Sequence, residues 1–263
     1  EKGCNLIIAH HPIVFKGLKK INGKNYVERT IIRAIKNDIA IYAIHTNLDN
    51  VLAGVNGKIA EKIGLQNIQI LQQKDTQLKK LITFAPPEMA EKVKEAVFQA
   101  GAGNIGKYSE CSFSAKGIST FTPGEGADPA IGKIGKRETL EEIKMEFIFQ
   151  SFKERAIIAA MKNAHDYEEV AYDVIPLGNY LSDTGAGIIG DLPDPVPETV
   201  FLAHLTAVFG LKLIKHTPFT GKNVKKVAVC GGAGSFLINN AKAAGIDVYI
   251  TSDIKYHEFF DAD

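Results

Sequence analysis

Asn5-Leu6-Ile7-Ile8-Ala9 running into His10-His11-Pro12, and Ile41-Tyr42-Ala43-Ile44 running into His45-Thr46-Asn47-Leu48-Asp49, are the stretches that decide the fold. Each is a short apolar run of the length of a buried strand. Residues 26–37 between them carry Val27, Ile31, Ile32 and Ile35 at helical spacing. Residues 50–63 beyond them place Val51, Leu52, Val55, Ile59 and Ile63 on one stripe. The order strand, helix, strand, helix predicts a parallel sheet with flanking helices. Parallel strands end on a common edge, which is where open α/β sheets place their sites. His10, His11, His45 and Asp49 would meet there, and divalent transition metals take imidazole and carboxylate donors.

From about residue 78 the rhythm changes. Leu81-Ile82-Thr83-Phe84 reads as a strand, and Pro86-Pro87-Glu88 opens a helix to about Gln99 that Gly101-Ala102-Gly103 breaks. Two short strands are expected at 108–115 and 117–121, then an irregular Gly/Pro-rich stretch over 123–135. Residues 144–149 alternate polar and apolar as a half-buried strand does, and a helix over 153–164 and a strand over 170–175 follow. This order is close to the split βαβ, or ferredoxin-like, plan. The last part returns to α/β. Pro193, Pro195 and Pro197 mark a loop before a helix over 197–209. A strand over 227–230, the turn Gly231-Gly232-Ala233-Gly234-Ser235, a helix over 235–244 and a strand over 247–251 complete it. The expected architecture is an α/β domain with a sheet and flanking helices, built from 1–77 and 178–263, interrupted by an inserted α+β ferredoxin-like domain at 78–177. Both ends look cut: the chain opens just before a strand and closes inside the helical run Phe259-Phe260-Asp261-Ala262-Asp263. A fragment of a longer protein is expected.

Among 263 residues, 45% are hydrophobic and 23% charged, which is ordinary for a globular protein with a full-sized core. The net charge of +1 supplies no global field for nucleic acid or acidic membranes, and no basic–aromatic interleaving suggests a nucleic-acid partner. No apolar stretch approaches the roughly 18 residues that span a bilayer. Cys4, Cys111 and Cys230 are odd in number and far apart, and read as reduced thiols. With no signal peptide, the expected compartment is the cytoplasm.

His10 and His11, neighbours on a strand, would point to opposite faces, but at a strand end followed by Pro12 both rings can turn into one cavity. Two bridged metals need neighbouring ligands of this kind; the plainer reading is a pair of ordinary histidines. Asp49 reads either as a metal ligand or as the first-turn acid of the following helix. His45 reads as a residue orienting a ligand. Gly231–Ser235 offers amides to an anion, or is simply a tight turn that needs glycine. Asp253, Lys255, Tyr256 and His257 follow a third strand end, with Asp253 and His257 as acid/base candidates. Lys16, Lys19, Lys20 and Lys24 would meet a phosphate or stay solvated.

In order along the chain occur Ile7-Ile8-Ala9-His10-His11-Pro12-Ile13-Val14-Phe15, Ala43-Ile44-His45-Thr46-Asn47-Leu48-Asp49, Gly54-Val55-Asn56, Val229-Cys230-Gly231-Gly232-Ala233-Gly234-Ser235 and Asp247 to His257. This combination resembles the Nif-three-like family of dinuclear-metal hexamers, known as GTP cyclohydrolase I type 2 homologues, over nearly the whole chain. The segment with Gly101-Ala102-Gly103-Asn104-Ile105-Gly106-Lys107-Tyr108 and Gly117-Ile118-Ser119-Thr120-Phe121-Thr122-Pro123 resembles the PII/CutA-like insert of longer bacterial members. The resemblance implies a toroidal homohexamer with two divalent metal ions per subunit (zinc, iron or manganese), and matches His10, His11 and Asp49 to metal ligands. The family supplies a further His and Glu from a segment beyond the residues present here, and has Gly where this chain has Ser252. The implied activity is a metal-dependent hydrolase acting on a small molecule such as GTP or a phosphoester, with His45 and His257 orienting groups or shuttling protons. The alternative is a non-catalytic hexameric metal-binding adaptor or metal chaperone with a sensory insert.

Overall fold

The computed structural model describes residues 3–262. In chain order the elements are β1 Leu6–Ala9, α1 Tyr26–Lys36, β2 Ala40–Ala43, α2 Thr46–Asp49, α3 Val55–Ile63, β3 Gln66–Gln73, β4 Leu78–Ala85, α4 Pro87–Gln99, β5 Ser112–Phe121 and β6 Glu138–Gln150. There follow α5 Glu154–Ala164, β7 Tyr172–Pro176, β8 Gly185–Pro197, α6 Glu198–Phe209, β9 Asn223–Cys230, α7 Ile238–Ala243, β10 Val248–Thr251 and α8 Glu258–Asp261. Asp263, the last residue of the closing helical run, lies outside the described residues. The chain divides into two compact units: residues up to Gln73 with those from Ser182 onward, and Lys74–Leu181.

In the first unit β1 and β2 pair in parallel, with Leu6 opposite Ala40 and Ala9 opposite Ala43, so the two histidine-bearing ends do lie side by side. α1 joins them. Its N-cap Asn25 accepts from the Glu28 amide at 3.0 Å and donates back to the Glu28 carboxylate at 2.8 Å. That reciprocal pair is what starts the helix there. Leu6, Ile7 and Ile8 remain 49%, 47% and 69% exposed, unlike the covered parallel strands the pattern predicts.

A second, four-stranded sheet has the order β10-β9-β8-β3. β10 and β9 are parallel, while β8 is antiparallel to both β9 and β3. The expectation of one parallel sheet is thereby corrected: the third strand end, after β10, belongs to a different sheet from β1 and β2. β3 and β8 have no counterpart in the expected elements, and the loop expected at Pro193, Pro195 and Pro197 is the end of β8. Alternating glutamines hide Ile68 and Ile70 in β3, while glycines and prolines disguise β8. The two press together at Gly185, where a Cβ would overlap the Gln72 carbonyl oxygen, and at Gly190, where it would lie 2.9 Å from the Gln66 carbonyl oxygen. Pro193, Pro195 and Pro197 occupy the end of β8, where the register with β9 shifts between Asp191 and Val196. The core is Ala60 and Ile63 of α3, Ile70, Ile188, Leu192, Phe201 and Leu205 of α6, and Val224, Val227 and Val229 of β9. A His204 ring nitrogen donates to the Ile63 carbonyl at 2.9 Å and ties α6 to the end of α3.

The second unit runs β4, α4, β5, β6, α5, β7, with sheet order β5-β6-β4-β7 and every neighbour antiparallel. β5 is one strand where two were expected, and β6 is longer than 144–149. Both helices cover one face: Met89, Ala90, Val93 and Val97 of α4 and Ile157, Met161 and Ala164 of α5 meet Leu81, Met145, Phe147 and Phe149 of the sheet. Alternate residues of β4 and β6 point inward, as period-two burial requires. No helix among the described residues is long and apolar enough to cross a membrane.

Candidate functional site

The β1–β2 ladder continues one residue past the strands. Ile44 N–H donates to Ala9 O at 3.0 Å and His45 N–H to His10 O at 2.9 Å. This locks the backbones of His10 and His45 together, and the rings follow. Their centroids are 5.7 Å apart, with His10 to His11 at 4.6 Å and His11 to His45 at 5.4 Å. Phe15, from the loop after Pro12, walls the cluster at 5.9 Å from His45 and 6.3 Å from His11. His45 holds φ 36°, ψ −127°, a conformation that costs a residue with a Cβ. The turn from β2 into α2 therefore stores strain where the imidazole is presented. His45→Gly is expected to be about 1–2 kcal/mol more stable than His45→Ala, since both lose the ring and only glycine relaxes the backbone. Equal midpoints in urea unfolding would contradict that origin for the strain.

The helix expected over 50–63 is shorter, and a separate single turn precedes it. α2 is a single turn ending at Asp49, and α3 begins only at Val55. Between them Leu52 N–H donates to Asp183 O and Val51 forms a bridge with Thr184, so this backbone is drawn off toward the start of β8. Asp49 is thus not the cap of α3; Gly54 holds that position. The carboxylate of Asp49 acts electrostatically on Cys230, at the end of β9. Burial pushes the Cys230 thiol above its ordinary value, a side-chain bond with Tyr249 pulls it down, and Asp49 pushes it up again. Burial, then the neighbouring Cys230, also raises Tyr249.

The turn after β9 is not an open anion cradle. Gly231 N–H donates to Asn56 Oδ1 at 2.7 Å, Gly232 N–H to Ser252 Oγ at 2.9 Å and Gly234 N–H to Thr251 Oγ1 at 3.0 Å. Tyr249 OH donates to Gly234 O at 2.6 Å. These amides are spent on holding the ends of β9, β10 and α3 together, which corrects the phosphate reading of Gly231–Ser235. Lys16, Lys19 and Lys20 are exposed and form no hydrogen bond or ion pair among the described residues. His257 caps α8, and no hydrogen bond, ion pair or ring contact joins it or Asp253 to the three imidazoles among the described residues.

The donors have the right chemistry for a transition ion, with three nitrogens in one cluster and a carboxylate on the adjoining turn. Among the described residues, however, no group of three or more His, Cys, Asp and Glu side chains is arranged to hold a metal ion.

The Duf34/NIF3 (NGG1p interacting factor 3) family model matches residues 1–263. The chain belongs to the Duf34/NIF3 family. It is 41% identical over 263 residues to a Bacillus subtilis protein named GTP cyclohydrolase 1 type 2 homolog, covering all of this chain and 70% of that one. A Halalkalibacterium halodurans protein of the same name is also 41% identical, with 71% of its length covered. Among solved structures, a Bacillus cereus protein related to NIF3 superposes with a TM-score of 0.78 at 44% identity, over 99% of this chain and 70% of that one.

Within this NIF3-family chain, sequence reading found the three clustered imidazoles but not what holds the neighbouring turn. Asn56 is 1% exposed. Its signal was a polar residue on the stripe that otherwise carries Leu52, Ile59 and Ile63, a position where the amide must find partners. The bond from Tyr249 to Gly234 left no comparable trace, because it joins residues whose meeting depends on β9 and β10 pairing.

Proposed function

We propose that this NIF3-family chain holds divalent metal through His10, His11 and Asp49 and works as a metal-dependent hydrolase. The observation that carries the reading is the meeting of His10, His11 and His45 at the carboxyl ends of two parallel strands, with centroids 4.6 to 5.7 Å apart. A pair of divalent ions (zinc, iron or manganese) held there would supply Lewis acidity and acidify a water molecule near neutral pH. His45, fixed by its backbone bond to His10, orients the paired rings. His257 is proposed as a proton shuttle. Phe15 flanks the cluster on one side. The relatives' names support a purine nucleotide such as GTP as the substrate class; a phosphoester is the second candidate.

In the same reading the subunits form a homohexamer in the cytoplasm. The second unit is taken as a ferredoxin-like insert of the PII/CutA kind, supported by its βαββαβ order and by helices on one face.

The test is metal analysis and turnover on GTP and simple phosphoesters with the metal-loaded protein. His11→Ala and Asp49→Ala are each expected to weaken metal binding more than tenfold and to remove turnover. Turnover that survives both substitutions would sink the hydrolase reading. Metal uptake with no turnover on any substrate would instead favour the adaptor or metal chaperone.

A further inference from the structure

Glu138, Glu141, Glu142 and Glu146 lie along β6, and all but one have a cation beside them. Lys136 is 3.9 Å from Glu138, Lys116 is 3.2 Å from Glu141, and Glu146 takes Lys80 at 2.8 Å and Lys144 at 2.7 Å. Glu142 has no ion pair among the described residues, although at 7% exposure it is the most buried of them. It accepts from the Tyr167 hydroxyl at 3.2 Å. A carboxylate taken out of water is costly unless opposite charge or several donors meet it. A neutral phenol is a weak substitute for a cation.

Tyr167 also lines a half-open cavity of about 260 Å³ in the second unit, between the start of α4 and the loop that carries Ala130 and Ile131. Pro86, Met89 and Ile131 give it apolar walls, and Glu88 stands on it beside Tyr167. Lys92 is on the wall too, but its Nζ is taken by Asp166 Oδ1 at 3.1 Å. His165 does not supply the missing charge either. Its Nδ1 accepts from Tyr167 N–H at 3.1 Å and its Nε2 donates to Phe84 O at 3.0 Å, so the ring is a neutral tautomer that holds Tyr167 in place. Burial, then Glu142 and then Glu88, push the Tyr167 hydroxyl above its ordinary value and keep it a donor. Both carboxylates therefore act on one phenol at the cavity wall, with no cation between them.

We propose that this cavity binds a small organic cation, a primary alkylammonium, whose charge meets Glu88 and Glu142 while its chain lies against Pro86, Met89 and Ile131. The volume holds about eight non-hydrogen atoms at the space a water molecule takes. The Tyr167 ring adds the attraction of an aromatic face for an ammonium. A bare metal ion does not fit, since among the described residues no three carboxylates, imidazoles or thiols converge on one point. Glu142→Gln keeps the size of the side chain and an acceptor for Tyr167, and removes the charge. Glu88→Gln, on an exposed residue, is the second variant and leaves the interior alone. Glu141→Gln, on the same strand beside Lys116, is the control.

The full chain is titrated with n-butylammonium, its neutral counterpart n-butanol and the anion butyrate, and followed by NMR through saturation transfer to the probe and the shift of the Tyr167 amide. Butylammonium is expected to bind with a Kd of about 1 mM or tighter, and butanol and butyrate about tenfold more weakly or worse. Glu142→Gln is expected to weaken butylammonium about tenfold and to leave butanol unchanged. Glu88→Gln is expected to weaken it about threefold, and decides the matter if Glu142→Gln does not fold. Glu141→Gln is expected to match wild type. The proposal is overturned if butylammonium binds no more tightly than butanol, or if neither Glu142→Gln nor Glu88→Gln weakens it.

Discussion

Gly54→Ala is expected to cost the first unit about 3 kcal/mol or more. Gly54 is the N-cap of α3, a position where glycine already ranks above alanine. Packing adds the larger penalty. A Cβ at 54 would overlap the Leu48 carbonyl oxygen and come within 2.9 Å of Val51 Cγ2. The overlap is with backbone, so no flexible side chain can yield. Nor is Gly54 free to move: its N–H donates to Val51 O at 2.9 Å and its carbonyl accepts from Lys58 N–H at 3.0 Å as α3 begins. Relief requires pushing α2 aside, and Asp49 with it. Urea unfolding followed at the amides of α3 and β9 measures the loss. A change below about 1 kcal/mol would show that the close approach is easily relaxed.

Phe147→Ala carries a similar expected loss in the second unit, about 3–5 kcal/mol. Phe147 is 1% exposed on β6, opposite Leu81 of β4 and Ser112 of β5. Its ring meets Phe98 at 5.6 Å in an edge-to-face arrangement, which adds to its area burial. Truncation leaves a cavity under Val93, Val97 and Ile157, all fully buried on two helices that cannot both close on it. Phe147→Leu, which keeps most of the volume, should recover more than half of the loss. Hydrogen exchange of the β4 and β6 amides reads both changes; equal protection in wild type and Phe147→Ala would contradict the packing argument.

The strand ends carrying His10, His11 and His45 were legible because apolar runs stopping at polar residues report burial ending at an edge. The stripe of α1 was legible by its period, and α4 by the prolines that open it and the glycines that break it. β8 was not, because its glycines and prolines locally mean a turn, and only the pressure of β3 against Gly190 makes them right for a strand. The division of residues 46–63 into α2 and α3 was equally hidden. Val51 and Leu52 fit the helical stripe, yet they bond to Asp183 and Thr184, more than a hundred residues away in sequence. The Gly231–Ser235 turn kept both its readings until Asn56, Ser252 and Thr251 were seen to consume its amides.

Local pattern alone was enough to place imidazoles at the ends of two neighbouring strands and to separate a segment of different rhythm from the α/β part, because burial periodicity is written residue by residue. Which strands share a sheet and where Asp49 stands were decided only on folding. Those outcomes depend on backbone groups far apart in the chain finding one another, and a main-chain N–H or carbonyl carries no mark in the sequence of the partner it will take.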